Sequence, residues 1–73
     1  MLQDVPIRGE MIRLGQLLKL AGIVGGGGEV RRLLAEATVL VNGEPEARRG
    51  RQLVPGDTVR VKDLELRVAR GTR

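Results

Sequence analysis

A chain of 73 residues with no Phe, Tyr, Trp, Cys or His is expected to form one domain, residues 1–73, whose core consists of aliphatic side chains alone. A domain of this size buries only about 60% of the surface of its unfolded chain, which excludes a large enclosed substrate cavity. The formal net charge of +4 comes from 13 basic and 9 acidic residues, and only two of the basic residues are lysines.

The sequence also lacks most of the residue types that enzymes use as catalytic groups. Without cysteine or histidine, neither a disulfide nor a zinc or iron site can be built from the usual ligands. Threonine supplies the only hydroxyl side chains, and the carboxylates of Glu44 and Glu46 are expected to serve solubility. We therefore predict no enzyme activity, no cofactor and no small-molecule substrate.

The hydropathy pattern predicts a soluble, cytoplasmic protein with no membrane partner. No apolar run approaches the roughly 20 residues that span a bilayer, and the first residues lack a basic segment followed by an apolar one.

The first predicted elements are an extended segment and a helix. Pro6 lacks an N–H group, so the segment Val5–Ile7 is not expected to lie in the centre of a sheet. The first helix follows Arg13, and its buried stripe has the spacing i, i+3, i+4 and i+7, as in Leu14, Leu17, Leu18 and Ala21. Gly22 is expected to end this helix in the left-handed conformation.

A second helix is predicted to start at the glycine run Gly25–Gly28. Its buried stripe comprises Val30, Leu33, Leu34 and Ala37. Arg31 and Arg32 lie on the opposite side, and Arg32 is expected to pair with Glu36 at i+4. The glycine run is not a Walker A loop, because Glu29 and Val30 stand where Lys and Ser or Thr are required. Two interpretations of the run remain open: a flexible turn, or a backbone contact to phosphate.

The second half of the chain predicts short strands. Asn42-Gly43 favours a type I′ turn after Val39–Val41, and Pro45 limits the return strand, Glu44–Ala47, to a short or edge position. Thr58–Val61 and Leu64–Val68 alternate apolar and polar residues, as half-buried antiparallel strands do. Arg70–Arg73 are expected to fray. The fold class is thus α+β: two short helices followed by a small, mainly antiparallel sheet.

The arginines form the main candidate for a binding site. Arg31 and Arg32 on the second helix and Arg48, Arg49 and Arg51 in a basic loop can lie on one side, with Arg13 and Lys19 at the rim. The arginine fork suits phosphate oxygens. Because no aromatic side chain can stack on bases, recognition of backbone and shape, and hence structured RNA, is favoured.

Alternatives stay open at this point. For any single arginine, a solvated charge or an ion pair with Glu36 or Glu44 is as good an interpretation. A protein–protein adaptor with a basic face for an acidic partner is the rival function. DNA binding is weaker, because the link between the helices lacks helix-turn-helix spacing.

Several short sequence motifs, taken together and in their order along the chain, resemble the S4-type RNA-binding domain over Ile12–Val61. They are Ile12-Arg13-Leu14, Leu17-Leu18-Lys19, Gly22, the helix Glu29–Glu36, Val39-Leu40-Val41-Asn42-Gly43 and Gly56-Asp57-Thr58-Val59. The string Arg48-Arg49-Gly50-Arg51 resembles the small stand-alone bacterial members of that superfamily.

This resemblance implies the αL RNA-binding motif, with a core over residues 12–68, and a partner that is rRNA or tRNA, in the ribosome, a ribosomal subunit or translation. By position, it implies RNA contacts at Arg13, Lys19, Gly27, Gly28, Arg31, Arg32, Asn42, Gly43, Arg48, Arg49 and Arg51. The chain departs from the family in two places. Glycines replace the usual Ser-Arg at the start of the second helix, and Ala37 replaces the usual Gly at its end, where a positive φ would cost about 1 kcal/mol.

Overall fold

The computed structural model describes residues 2–71, which form two helices and seven strands. In chain order these are β1 (Leu2–Ile7), β2 (Ile12–Arg13), α1 (Leu14–Leu20), α2 (Gly27–Glu36), β3 (Val39–Val41), β4 (Glu44–Pro45), β5 (Gln52–Leu53), β6 (Thr58–Val61) and β7 (Leu64–Arg70).

The strands form one five-stranded sheet and one small ribbon. The strand order of the sheet is β1-β7-β6-β3-β4, in which β1 runs parallel to β7 and the other pairs are antiparallel. β2 and β5 form a separate antiparallel pair in which Ile12 lies opposite Leu53. The predicted α+β class with a mainly antiparallel sheet is confirmed.

The core lies between one face of the sheet and the two helices. Alternate strand residues are buried, as expected where one face of a sheet is covered. The helices contribute Leu14, Leu17, Leu18 and Val30, each at most 2% exposed. The other face of the sheet carries exposed polar residues, among them an ion pair of 2.8 Å between Arg67 Nε and Asp4 Oδ1.

Both helices follow the predicted periodicity closely. α1 buries the predicted leucines, and Gly22 has φ +78° where the helix has ended. In α2 only Val30 is fully buried, and Leu33 and Leu34 are half-buried. Ala37 has φ −123° and ψ 150°, so α2 ends in an extended residue and the expected strain is absent.

The predicted hairpin between β3 and β4 is also present. Asn42 and Gly43 have φ values of +52° and +85°, as a type I′ turn requires, and β4 is a two-residue edge strand. The Asn42 side chain reaches across to the start of β6: its Oδ1 accepts the Thr58 N–H at 2.9 Å, and its Nδ2 donates to Asp57 Oδ1 at 3.2 Å.

The N-terminal segment is extended and lies away from the centre of the sheet, as predicted, but the end of β7 differs from the prediction. Val5–Ile7 is part of a six-residue strand at the sheet edge, which is where Pro6 can be accommodated. The prediction that fraying begins at Arg70 is wrong, because Arg70 pairs with Ile7 and the Gly71 N–H donates to the Ile7 carbonyl at 3.1 Å. The rest of that prediction concerns Thr72 and Arg73, which lie outside the described residues.

Neither helix within residues 2–71 is long and apolar enough to cross a membrane.

Candidate nucleic-acid interface

The start of α1, the start of α2 and the loop after β4 meet at a groove of about 230 Å³. We call this the basic groove. Four of the residues predicted for the site line it: Arg13, Lys19, Gly27 and Arg49. The structure therefore brings cations from α1 and its N-cap residue and from the loop after β4 together with the first turn of α2.

The loop at residues 48–51, called the basic loop below, is attached to the first turn of α1 through its backbone. The Leu14 N–H donates to the Arg51 carbonyl at 2.8 Å, and the Gly15 N–H donates to the Arg49 carbonyl at 2.9 Å. These bonds satisfy two of the amides that a helix start leaves without partners. They also fix the backbone of the basic loop against the helix.

Gly15 lies where this attachment is tightest. A Cβ atom at this position would lie 3.3 Å from Val30 Cγ1 and 3.4 Å from Arg49 Cβ. The absence of a side chain lets α1, α2 and the basic loop approach one another closely.

The glycine run gives α2 an open start. Gly26 is the N-cap residue, in an extended conformation with no side chain to cap the helix, and the Gly25 N–H donates to Glu29 Oε1 at 3.1 Å. A Cβ atom at Gly26, Gly27 or Gly28 would meet no atom within 4 Å, and none of the three has a positive φ. Neither packing nor backbone conformation within residues 2–71 therefore requires glycine at these three positions.

A second shallow groove continues the basic surface along α2. It is lined by Arg31, Leu34, Ala35, Ala47 and Arg49, so Arg49 belongs to both grooves. Arg32 is exposed on the same helix. Arg32 and the other predicted contacts line neither groove; these others are Gly28, Asn42, Gly43, Arg48 and Arg51.

Arg48 and Arg51 differ from the other predicted cations because both bind one carboxylate. Arg48 Nε and Arg51 Nη1 each lie 2.9 Å from Glu46, whose side chain is only 8% exposed. Side-chain hydrogen bonds from Arg48, the backbone N–H of Arg48 and then Arg51 hold the pKa of Glu46 far below its usual range. The expectation that Glu46 serves only solubility is wrong, since its carboxylate is mostly covered by the two arginines.

Five predicted cations have no such partner. Within residues 2–71 no carboxylate lies within 4 Å of a charged nitrogen of Arg13, Lys19, Arg31, Arg32 or Arg49. The pair expected between Arg32 and Glu36 is therefore absent, and neither Glu36 nor Glu44 pairs with an arginine in the part of the chain that the structure describes. Among the predicted contacts, the cations without an ion pair are therefore Arg13 and Lys19 at the two ends of α1, Arg31 and Arg32 on α2, and Arg49 in the basic loop.

The low pKa of Glu46 gives an expected pH dependence. This carboxylate stabilises the fold fully above the pKa of an unfolded glutamate, about 4.3, and the stabilisation is lost as pH falls from there towards the folded-state value. The free energy of unfolding should therefore fall more steeply below pH 4.5 for the wild type than for Glu46→Gln, measured by urea unfolding at several pH values. Arg67 also lowers the pKa of Asp4, but Asp4 is present in both proteins, so its contribution to the pH dependence cancels in the comparison. Parallel curves would therefore contradict the prediction for Glu46.

Two features of this region were not predicted from the sequence: the close packing at Gly15 and the ion pairs of Glu46 with Arg48 and Arg51. A glycine inside an amphipathic helix pattern costs about 1 kcal/mol of helix stability relative to alanine. Its presence at position 15 therefore indicates that another segment packs closely there. For Glu46 the sequence offered only its proximity to Arg48 and Arg51, and many exposed residues have such neighbours.

Comparison with known proteins agrees with this architecture. A model of the S4 domain matches residues 5–69. A protein of Bacillus subtilis (strain 168) described as "Probable ribosome maturation protein RlbA" is 48% identical over 62 residues, which cover 85% of this chain and 87% of that protein. The resemblance found in the sequence is thus confirmed, and this chain belongs to the S4 domain family.

Proposed function

We propose that this chain is a non-catalytic RNA-binding protein that docks the basic groove and the exposed side of α2 on structured ribosomal RNA during ribosome maturation. Membership of the S4 domain family supports RNA as the partner. The name of the Bacillus subtilis relative supports a role at the ribosome, which would place the protein in the cytoplasm.

The observation that carries the proposal is the set of predicted cations without ion pairs. A cation that already binds a carboxylate must lose that bond or share it before it can bind phosphate, whereas an unpaired arginine only displaces water. The proposed cationic contacts are therefore Arg13, Lys19, Arg31, Arg32 and Arg49. The backbone amides of Gly27 and Gly28, at the start of α2, complete the proposed set.

The chemistry of the basic groove suits the sugar–phosphate backbone. Arg13 and Arg49 supply planar forks, Lys19 supplies an ammonium group, and Gly27 belongs to the first turn of α2, where backbone amides and the helix dipole favour an anion. With no aromatic side chain in the sequence, bases cannot be read by stacking on rings. Shape and phosphate positions would then determine the choice of RNA.

Fluorescence-anisotropy titrations with a labelled, folded rRNA fragment over a salt series test the proposal. We expect the logarithm of the association constant to fall linearly with the logarithm of salt concentration, by about 0.7 to 0.9 for each phosphate contacted. Unlabelled rRNA should compete, whereas duplex DNA of equal length and polyglutamate of equal charge should compete weakly.

The result with each competitor tests a different alternative to the proposed function. Equal competition by polyglutamate would favour the adaptor with an acidic protein partner, and equal competition by duplex DNA would remove the preference for RNA. A folded tRNA that binds more tightly than rRNA would contradict the ribosomal target while leaving RNA binding intact.

A further inference from the structure

The carboxylate of Glu46 accepts four hydrogen bonds from the basic loop. Three come from Arg48: its backbone N–H at 3.0 Å, Nε at 2.9 Å and Nη2 at 3.0 Å. The fourth comes from Arg51 Nη1 at 2.9 Å. One acidic group thus binds the residue that begins the loop and the residue that ends it.

The backbone of the basic loop is fixed as well. The Arg51 N–H donates to the Arg48 carbonyl at 3.2 Å and closes a turn, while the carbonyls of Arg49 and Arg51 accept hydrogen bonds from the first turn of α1. The loop is therefore fastened to Glu46 by the side chains of Arg48 and Arg51 and to α1 by carbonyls. The guanidinium of Arg49 takes part in neither attachment.

Arg49 also lies between the unpaired cations of α1 and those of α2. It lines the basic groove together with Arg13 and Lys19, and it lines the second groove together with Arg31. Arg48 and Arg51 instead line a separate surface depression with Gly50 and Gln52. The three arginines of one short loop thus occupy two different environments.

We propose that Glu46 is a positioning residue for RNA binding: by holding Arg48 and Arg51, it fixes the basic loop so that Arg49 alone among the loop arginines contacts RNA phosphate. This inference rests on the proposed function. It deepens that function by assigning RNA contact to Arg49 and a structural role to Arg48 and Arg51.

Removing the carboxylate of Glu46 tests this role, because the change in RNA affinity has a different sign for each possible role of the residue. If Glu46 acted only through its charge, its removal would strengthen RNA binding, because like charges repel. If Glu46 positions Arg49, its removal weakens binding even though the protein becomes more positive. The two roles therefore predict opposite changes in affinity.

The experiment compares Glu46→Gln with Glu44→Gln in the rRNA titration. Both substitutions remove one negative charge, but Glu44 is exposed in β4 and has no ion pair within residues 2–71. We expect Glu46→Gln to weaken binding by about threefold to tenfold, the range for loosening one charge-assisted contact, and Glu44→Gln to leave affinity unchanged or slightly raised. Equal or tighter binding by Glu46→Gln than by Glu44→Gln would overturn the inference.

A second comparison covers the case in which Glu46→Gln folds poorly, which circular dichroism at the assay temperature would reveal. Arg49→Ala should reduce the salt slope by about 0.7 to 0.9, one phosphate contact, whereas Arg48→Ala should leave the slope unchanged and lower the melting temperature. Equal loss of slope in both variants would show that Arg48 is also a contact and would overturn the division. If the wild type binds no RNA at all, the result contradicts the proposed function, and with it this inference.

Discussion

Replacing Arg13, Lys19 and Arg49 together with glutamine is expected to remove most of the affinity for structured RNA. These three cations line the basic groove and have no carboxylate partner within residues 2–71. Each is expected to neutralise one phosphate, so the salt slope should fall by roughly 2 to 3. The measurement is the same anisotropy titration, with far-ultraviolet circular dichroism to verify that the variant is folded.

A matched triple variant separates position from overall charge. Arg60, Lys62 and Arg67 are exposed on the outer side of the sheet or in the turn between β6 and β7. Replacing these two arginines and one lysine with glutamine also takes the formal net charge from +4 to +1. Breaking the exposed pair between Arg67 and Asp4 should cost little stability, because water and salt screen both charges.

The two triple variants should behave very differently if the basic groove binds the RNA. The control variant should retain most of the wild-type slope and affinity, losing only the long-range attraction that salt screens. Similar losses in both variants would mean that net charge, and not the groove, determines binding. Such a result would contradict the proposed site without contradicting membership of the S4 domain family.

The second large expected effect concerns stability. Leu18→Ala should lower the free energy of unfolding by about 2 to 5 kcal/mol, because Leu18 is fully buried on α1 and alanine would leave a cavity. A domain of this size has a total stability of roughly 4 to 11 kcal/mol, so the substitution should remove a large fraction of it. The sequence contains no aromatic side chain that could fill the space.

Leu20→Ala is the control for this prediction. Leu20 lies on the same helix but is 55% exposed, so its truncation should change stability by no more than about 0.5 kcal/mol. Urea unfolding followed at 222 nm gives both values. If the two variants were equally stable, α1 would not be packed on the sheet as described.

The parts of the fold that the sequence predicts correctly are those determined by local pattern. The stripe of Leu14, Leu17 and Leu18 and the type I′ turn at Asn42-Gly43 each follow from residues close together in the chain. The pairing of β1 with β7 joins residues about 60 positions apart, and the two-residue strands β2 and β5 are too short to show alternation. Local periodicity contains no information on such contacts.

The same distinction applies to the candidate site. The sequence predicts that the basic residues of α2 and of the basic loop lie on one side, and the structure places Arg13, Lys19, Arg31 and Arg49 along two adjoining grooves. It separates Arg48 and Arg51 from them, because the side chains of these two arginines bind Glu46, and the sequence does not show which rotamers they adopt. The hydrogen bonds of Asn42, which tie the hairpin to β6, likewise became visible only in three dimensions.

The pairing of β1 with β7 also affects the order of events as the protein is made. Synthesis produces β1 first, yet its hydrogen-bonding partner follows only after nearly all of the domain has been translated. Until then Val5 and Ile7, which are 4% exposed in the finished fold, have no strand beside them to complete their burial. Contacts so distant in sequence form late and slow the folding of a small domain. The β1–β7 edge of the sheet can therefore form only after residues 64–70 have left the exit tunnel.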